Sequence, residues 1–299
     1  MSVQDNAKHW MPGVAPVAVV MISLNEAHNM EAVLSNLKGW AQEVFLVDSH
    51  SADETVDIAL RHGVHVVQRR FHGFGDQWNF ALRELPITAP WTMKLDPDER
   101  LSNALKRNLT DAMQRSAAEG FTMQRRLWFM GRPLPVRHDI LRAWKTGRCR
   151  FSDVLVNEHP LVDGAIAHVA GDIEHHDSPD LEHWLHKQNK YSSAEAIAFV
   201  AGTGLAAIPK LLGNAFEKRM WVKRHFFRIP FRYVGVFCYY LFLKGVWRAG
   251  KVGCIWARLR SDVYRYREYK VTEMRLTGRR PGATVSGCGR PDARVPQFD

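Results

Sequence analysis

Cysteine is scarce in this chain. Four occur in 299 residues, at Cys149, Cys238, Cys254 and Cys288, and no two form a C-x-x-C pair. Spacing of that kind supports neither a disulfide framework nor a zinc site, so a reducing compartment is expected. Glycine-rich phosphate loops are also missing. The sequence has no G-x-G-x-x-G and no G-x-x-x-x-G-K-[ST], which argues against a dinucleotide oxidoreductase or a P-loop enzyme. Nor is there a long apolar run. The longest, Tyr233–Leu243, has eleven residues between Arg232 and Lys244, whereas a spanning helix needs roughly 20. Asp5, Lys8, His9 and Pro12 interrupt any signal-peptide pattern at the start. The expected location is therefore cytoplasmic. Acidic residues thin out in one region only. Residues 1–200 hold 21 Lys/Arg against 25 Asp/Glu, residues 201–280 hold 18 against 4, and the last 19 balance. A mildly acidic front and a basic back imply that the back meets something anionic, either nucleic acid or a membrane surface.

What is present is an alternation of two periods. Val17–Ile22 is a continuous β-branched and apolar run of the kind found in buried parallel strands. Asn29–Trp40 then carries helical spacing through Met30, Val33, Leu34 and Leu37. Strands at Glu43–Val47, Val64–Val67 and Trp91–Leu95 follow, with helices at Ser51–His62, Asp76–Leu85 and Leu101–Ala118. Strand and helix alternating about every 20 residues predict a doubly wound α/β sheet whose ligands bind beyond the carboxyl ends of its strands. Phe121–Arg150 reads as strands and loops, Leu181–Val200 as a helix, and Ile208–Lys270 as mostly helical.

Three polar clusters fall at the carboxyl edge of that sheet. Asp96-Pro97-Asp98 follows a strand directly. Two carboxylates with one residue between them suit a hard divalent cation, or a cation and a ribose hydroxyl; the plainer reading is a solvated turn. Asp48 closes the second strand, where its carboxylate either accepts a hydrogen bond from a base or ribose or caps the next helix. Ser23-Leu24-Asn25-Glu26 places another carboxylate at the first strand–helix turn. A nucleotide site made of carboxylates rather than glycines needs a metal to offset a diphosphate.

Taken together, ISLNEAHNM, VDSHSADET, FHGFGDQWNFAL and LDPDERLS, followed by VNEHPLVDG and HHDSPDLEHWLHKQNKYSSAEA, resemble family-2 glycosyltransferases of the GT-A fold. The likeness extends from Val17 to Lys270 and is greatest to the group that includes lipopolysaccharide-core glucosyltransferases. It implies a GT-A mixed sheet with a C-terminal helical, membrane-associating extension. The implied boundaries are a flexible leader at 1–13, the catalytic domain at 14–205, the basic aromatic extension at 206–275 and a disordered tail at 276–299. By the same resemblance Ser23, Asn25, Glu26, Asp48, Gln77 and Asp96 bind the donor. Asp98, with Asp96 and His175, holds a divalent cation, Mg²⁺ or Mn²⁺. His176 is the alternative to His175, and Glu158 sits near the acceptor. Three positions depart from the family pattern. Asn157 stands where many relatives have His, and Trp78 where many have Arg or Lys. Gln124-Arg125-Arg126-Leu127-Trp128 is a near miss of the Q-x-x-R-W of processive synthases, so transfer of a single sugar is expected.

The implied reaction is an inverting displacement, with Asp98 as metal ligand and Glu158 taking the proton of the acceptor hydroxyl. The expected donor is a UDP-sugar and the expected acceptor a glycolipid or lipid-linked saccharide, met at the inner face of the cell membrane. The stretch Phe216–Arg232 has six Lys/Arg and one Glu among Trp and Phe, which suits a helix lying in the headgroups of an anionic membrane. Lys218, Arg219, Trp221, Lys223, Arg224 and Arg228 are its membrane- or acceptor-facing candidates. The plainer reading is a basic helix packed on the catalytic domain. Nucleic acid is not expected, because no motif supports it. Two other functions compete: a polyprenyl-phosphate sugar transferase, and a non-catalytic nucleotide-sugar-binding module recruited to membranes.

Overall fold

The protein is described from a computed structural model, in which residues 9–152, 159–201, 212, 221, 225–226 and 229–281 are described. The described residues contain ten strands. They are β1 (Ala15–Ser23), β2 (Ala41–Asp48), β3 (His65–Gln68), β4 (Trp91–Lys94), β5 (Glu99–Leu101), β6 (Gly120–Phe129), β7 (Arg132–Lys145), β8 (Cys149–Phe151), β9 (Pro160–Val162) and β10 (Ile166–His176). The helices are α1 (Ala27–Leu37), α2 (Thr55–Arg61), α3 (Phe74–Glu84), α4 (Asn103–Arg115), α5 (Leu181–Val200), α6 (Arg232–Cys238) and α7 (Gly250–Thr277). A π-helical turn at Tyr239–Leu243 and a 3₁₀ turn at Val246–Ala249 lie between α6 and α7.

Eight strands form one sheet in the order β3-β2-β1-β4-β7-β6-β10-β5, and β8 and β9 form a small second sheet. Strands β1 to β4 pair in parallel, whereas β7 runs antiparallel to β4 and β5 antiparallel to β10. The mixed α/β architecture expected from the sequence is therefore present. β1 shows why its sequence reads as an unbroken apolar run. Val17, Val19 and Met21 pack with Met30, Leu34 and Leu37 of α1 and Leu105 and Leu109 of α4. Ala18 and Val20 pack with Trp78 and Ala81 of α3, and with Trp144 and Phe151. A strand buried on both faces has no polar side to alternate with.

Three local expectations change. The helix expected from Leu101 begins at Asn103, where the Ser102 hydroxyl accepts a hydrogen bond from Leu105 N at 3.2 Å. The residues just before it, Glu99–Leu101, pair instead with β10, with His175 opposite Glu99. The end of the expected leader is docked rather than loose. Trp10 is buried, its Nε1 donates to Ala41 O at 3.0 Å, and its backbone N donates to Gly63 O.

The described residues divide into two compact units: 9–128 with 137–177, and 129–136 with 178–281. That division at Asp177/Ser178 lies ahead of the expected 205/206 boundary, because α5 packs on α7. Within the second unit Gln188 meets Arg260 at 3.2 Å and Glu195 meets Arg267 at 3.1 Å. Lys270 Nζ lies within hydrogen-bond reach of Asn189 O, Asn189 Oδ1, Ser192 Oγ and Ser193 Oγ. α7 continues to Thr277 and ends on Gly278 at φ +67°, so the first residues of the expected tail at 276–299 are helical. Residues 282–299 lie outside the described residues. Among the described residues no helix is long and apolar enough to cross a membrane.

Candidate active site

The loop after β4 is organised by a buried arginine that the sequence reading did not single out. Arg142, on β7, donates from Nη2 to Asp96 Oδ2 at 2.8 Å and to Glu99 Oε1 at 2.6 Å. Glu99 is fully buried, and its Oε2 accepts from Asp96 N at 3.1 Å. Arg125 of β6 stands 3.8 Å from Glu99 Oε1. Burial works against the Asp96 charge, but Arg142 and Lys94 outweigh it and hold the carboxyl down to about 2. Burial pushes Glu99 the other way, above the usual carboxylate range, despite Arg142. Asp96 keeps 33% of its side chain open to solvent.

Asp98 joins a different group. The β5–β10 pairing brings His175 Nε2 to 3.3 Å from Asp98 Oδ2 and leaves it 3.8 Å from Asp177 Oδ1. One ligand atom from each of Asp98, His175 and Asp177 lies within 4.8 Å of the others. Burial alone would lower the His175 pKa, yet the charge and hydrogen bond of Asp98 raise it overall. His176 takes the opposite face of the strand end and stacks on Trp128 with ring centroids 4.8 Å apart. Of the two candidate histidines, His175 therefore meets Asp98. Among the described residues Asp177 gathers with Asp98 and His175, while Asp96, the other expected ligand, pairs with Arg142. The signal for Asp177 was its position two residues beyond His175, which puts both on the same face of an extended chain.

At the first strand–helix turn, Asp48, expected to reach a nucleoside, is engaged by the protein itself. Its carboxylate is fully buried and accepts from Ser23 Oγ at 2.8 Å, Ser51 N at 2.8 Å, Ser51 Oγ at 2.5 Å and Gln68 Nε2 at 3.2 Å. Four protein donors fill the roughly four acceptor sites of a carboxylate. Asp48 thus ties the ends of β1, β2 and β3 together. Asn25 adopts φ +56°, and its side chain accepts from Ala52 N at 2.8 Å. Asn tolerates that left-handed conformation better than most residues. Glu26 is buried and accepts from Asn29 Nδ2 at 2.9 Å. Arg100 links this turn to the acidic loop: Nη2 donates to Asn29 O at 3.0 Å, and Nη1 donates to Pro97 O at 2.6 Å and Glu99 O at 2.8 Å.

Gln77 is fully buried, and its Oε1 accepts from Arg69 Nη1 at 2.7 Å. The same guanidinium nitrogen pairs with Asp76 at 2.5 Å. Beside it, the Trp78 departure has a structural counterpart. Lys94 Nζ lies 4.6 Å from the Trp78 ring centroid and 5.3 Å from that of Phe151. A strand lysine thus sets a cation against the aromatic ring that stands at position 78. Arg69, Arg100, Arg142 and Lys94 escaped the sequence reading because single basic residues carry no motif. Glu158 lies outside the described residues, as do Lys218, Arg219, Lys223, Arg224 and Arg228. Trp221 is half-buried and stacks on His225 at 4.4 Å.

Residues 18–171 match the family model "Glycosyl transferase family 2". Among curated proteins, the chain is 26% identical over 252 residues to "Lipopolysaccharide core biosynthesis glycosyltransferase LpsC" of Rhizobium meliloti (strain 1021), covering 80% of this chain and 86% of the relative. It is 37% identical over 90 residues, 30% of each chain, to an "Uncharacterized glycosyltransferase" of Rickettsia bellii (strain RML369-C). Among solved structures, S. aureus TarS 1-349 in complex with UDP-GlcNAc is similar at a TM-score of 0.37 and 14% identity, over 88% of this chain and 92% of that one. Glucosyl-3-phosphoglycerate synthase from Mycobacterium tuberculosis, in complex with Mn²⁺, UDP and glucosyl-3-phosphoglycerate, is similar at 0.41 and 16%, over 64% and 81%.

Proposed function

This chain belongs to glycosyl transferase family 2 and is a glycosyltransferase, and we propose that it moves one sugar, with inversion, from a nucleotide-diphosphate sugar to a lipid-linked or lipopolysaccharide-type saccharide. The observation that carries this reading is the meeting of Asp98, His175 and Asp177 at the carboxyl end of β4, beside Asp96. Two carboxylate oxygens and one imidazole nitrogen suit Mn²⁺ or Mg²⁺, which accept oxygen donors and keep room for phosphates and water. Asp98, His175 and Asp177 would hold the cation. When bound, a divalent cation there neutralises the charge that develops on the departing diphosphate.

The remaining roles belong to the chain itself. Asp96 presents the oxygen that Arg142 leaves free toward the donor ribose. Glu26, Asn25 and Gln77 shape the nucleoside side of the crevice, and Ser23 and Asp48 hold that wall in place. Glu158 is assigned, from its sequence position, as the base that takes the acceptor proton. The lipopolysaccharide-type acceptor follows from the likeness to the Rhizobium lipopolysaccharide core biosynthesis glycosyltransferase. A UDP-sugar is the first donor to test.

The test is nucleotide release from a panel of nucleotide sugars, with Mn²⁺ or Mg²⁺, and with and without lipid-linked saccharide acceptors. Donor turnover that depends on the metal and increases with a saccharide acceptor supports the reading. Turnover only with a bare polyprenyl phosphate would assign the chain to polyprenyl-phosphate sugar transfer instead. Binding of the donor with no release of nucleotide would make it a binding module.

A further inference from the structure

The second unit carries a surface that the transfer chemistry does not use. α6 and the π-helical turn make one helical stretch of twelve residues, Arg232 to Leu243. At 1.5 Å per residue it is about 18 Å long, well short of the roughly 30 Å of a hydrocarbon core. It ends in a built corner. Gly245 sits at φ +70° and Gly250 at φ +62°. Gly253 of α7 approaches so closely that an added Cβ would lie 1.8 Å from Val246 O. One face of the stretch is fastened to α7. Arg232 pairs with Glu268 at 2.5 Å, Tyr233 donates to the same carboxylate, and Ser261 Oγ donates to Tyr233 O at 2.7 Å. Tyr240 packs edge-on against Trp256.

The other face points apolar side chains at solvent. Phe231, Val234, Tyr239 and Phe242 follow helical spacing, and Leu243 and Trp247 extend the patch round the corner. Phe231 is 84% exposed, Leu243 79% and Phe242 63%. A surface helix normally shows solvent its polar side, and a contiguous apolar patch marks an interaction site. Within the segment that carries this patch the charge has one sign. Between Glu217 and Asp262 the sequence has eleven Lys/Arg and no Asp or Glu. At the corner itself, Lys244 Nζ lies 5.8 Å from the Tyr239 ring centroid and the Arg248 guanidinium 5.5 Å from that of Trp247, with Lys251 exposed beyond them.

We propose that the corner from Arg232 to Lys251 docks the protein on one leaflet of an anionic bilayer. Phe242, Leu243 and Trp247 enter the boundary between headgroups and acyl chains, and Lys244, Arg248 and Lys251 lie among the lipid phosphates. Interleaved aromatic and basic residues on an element too short to span are the pattern of an interfacial segment. An anionic surface complements a patch that has no acid of its own. A second copy of the chain does not, because a two-fold contact would set these like charges against each other. The proposal extends the lipid-linked acceptor reading above by naming the surface that meets the lipid.

The experiment is co-sedimentation of the full chain with vesicles of phosphatidylcholine alone or mixed with phosphatidylglycerol. The chain is expected on the mixed vesicles and to be retained in part at high salt, since apolar burial is not screened. The variant Lys244→Glu/Arg248→Glu/Lys251→Glu should bind the mixed vesicles at least ~100-fold more weakly, from about fivefold per basic residue removed. The variant Phe242→Ser/Leu243→Ser/Trp247→Ser should lose its salt-resistant retention. Thermal melting confirms that each variant folds, and Leu243→Glu alone serves as the milder change at a highly exposed position. Equal binding to both vesicle types, or unaltered binding by both triple variants, overturns the proposal. So does a dimer in lipid-free solution that the apolar variant dissociates, with no vesicle binding. Nucleotide release without vesicles keeps the two readings separable. Vesicle binding without transfer to a lipid-linked acceptor removes the acceptor assignment and leaves the docking surface standing. Transfer to a water-soluble saccharide without vesicle binding does the reverse.

Discussion

Asp96 and Asp98 are separated by one residue in sequence and meet different partners. Asp96 is paired with Arg142, which is itself clamped to a fully buried Glu99. Asp98 meets His175 and Asp177. Asp98→Asn should therefore abolish metal-dependent nucleotide release while leaving the melting temperature nearly unchanged. Near-normal turnover of that variant in Mn²⁺ would remove the metal assignment. Asp177→Asn should raise the Mn²⁺ concentration needed for half-maximal turnover, which a metal titration reads directly. Arg142→Met is a different kind of lesion. It takes the nearest cation away from the buried Glu99 and leaves only the more distant Arg125, at 3.8 Å; breaking a buried pair in this way costs about 3–5 kcal/mol. The variant should melt well below the wild type, and Arg142→Met/Glu99→Gln should recover part of that loss. Equal melting of the single and double variants would show that Glu99 does not depend on this partner.

At the scale of elements, the sequence made the central strands and helices legible because burial imprints a period. The apolar spacing of α1 and the unbroken run of β1 both follow from packing in the first unit. β5 was not legible. Three residues, Glu99-Arg100-Leu101, carry no period of their own, and the helical pattern that follows absorbed Leu101. Only the backbone of β10 makes them a strand, and that pairing brings His175 to Asp98. The Ser102 cap marks the true start of α4, so Ser102→Ala should destabilise the fold by ~1 kcal/mol in chemical denaturation. In the second unit, burial lowers the Lys270 pKa from its ordinary 10.5 to about 8. Between those values the unfolded chain holds a proton that the folded chain has released, so this group makes stability rise with pH across that window. Lys270→Met should lack the rise. Denaturation of both proteins at pH 8 and above 10 checks the sign, and parallel curves would contradict it.

For the whole molecule, the reading depends on a metal and a base. Chelation of divalent ions should stop nucleotide release, and added Mn²⁺ should restore it. Full activity after exhaustive chelation would contradict a metal held by Asp98, His175 and Asp177. Glu158→Gln should lower turnover by roughly 10²–10⁴ with little effect on donor affinity, because a proton acceptor acts in the transition state. A change confined to donor affinity would make Glu158 a binding residue.

The sequence by itself determined the alternation of elements, the family, the acidic pair at the end of β4 and the concentration of basic charge behind residue 200. Each is a local property, set by period, by the identity of neighbouring residues or by simple counting. Tertiary structure decided which acids share a site. It put Arg142 under Asp96, filled Asp48 with protein donors, set Lys94 against Trp78 and joined Asp177 to Asp98 through β10. It also turned the apolar face of α6 away from α7 and left it exposed. These are meetings of residues tens of positions apart. Sequence spacing does not encode them, because the distance between two side chains in a folded sheet depends on strand order and register, and those are settled only when the whole core packs.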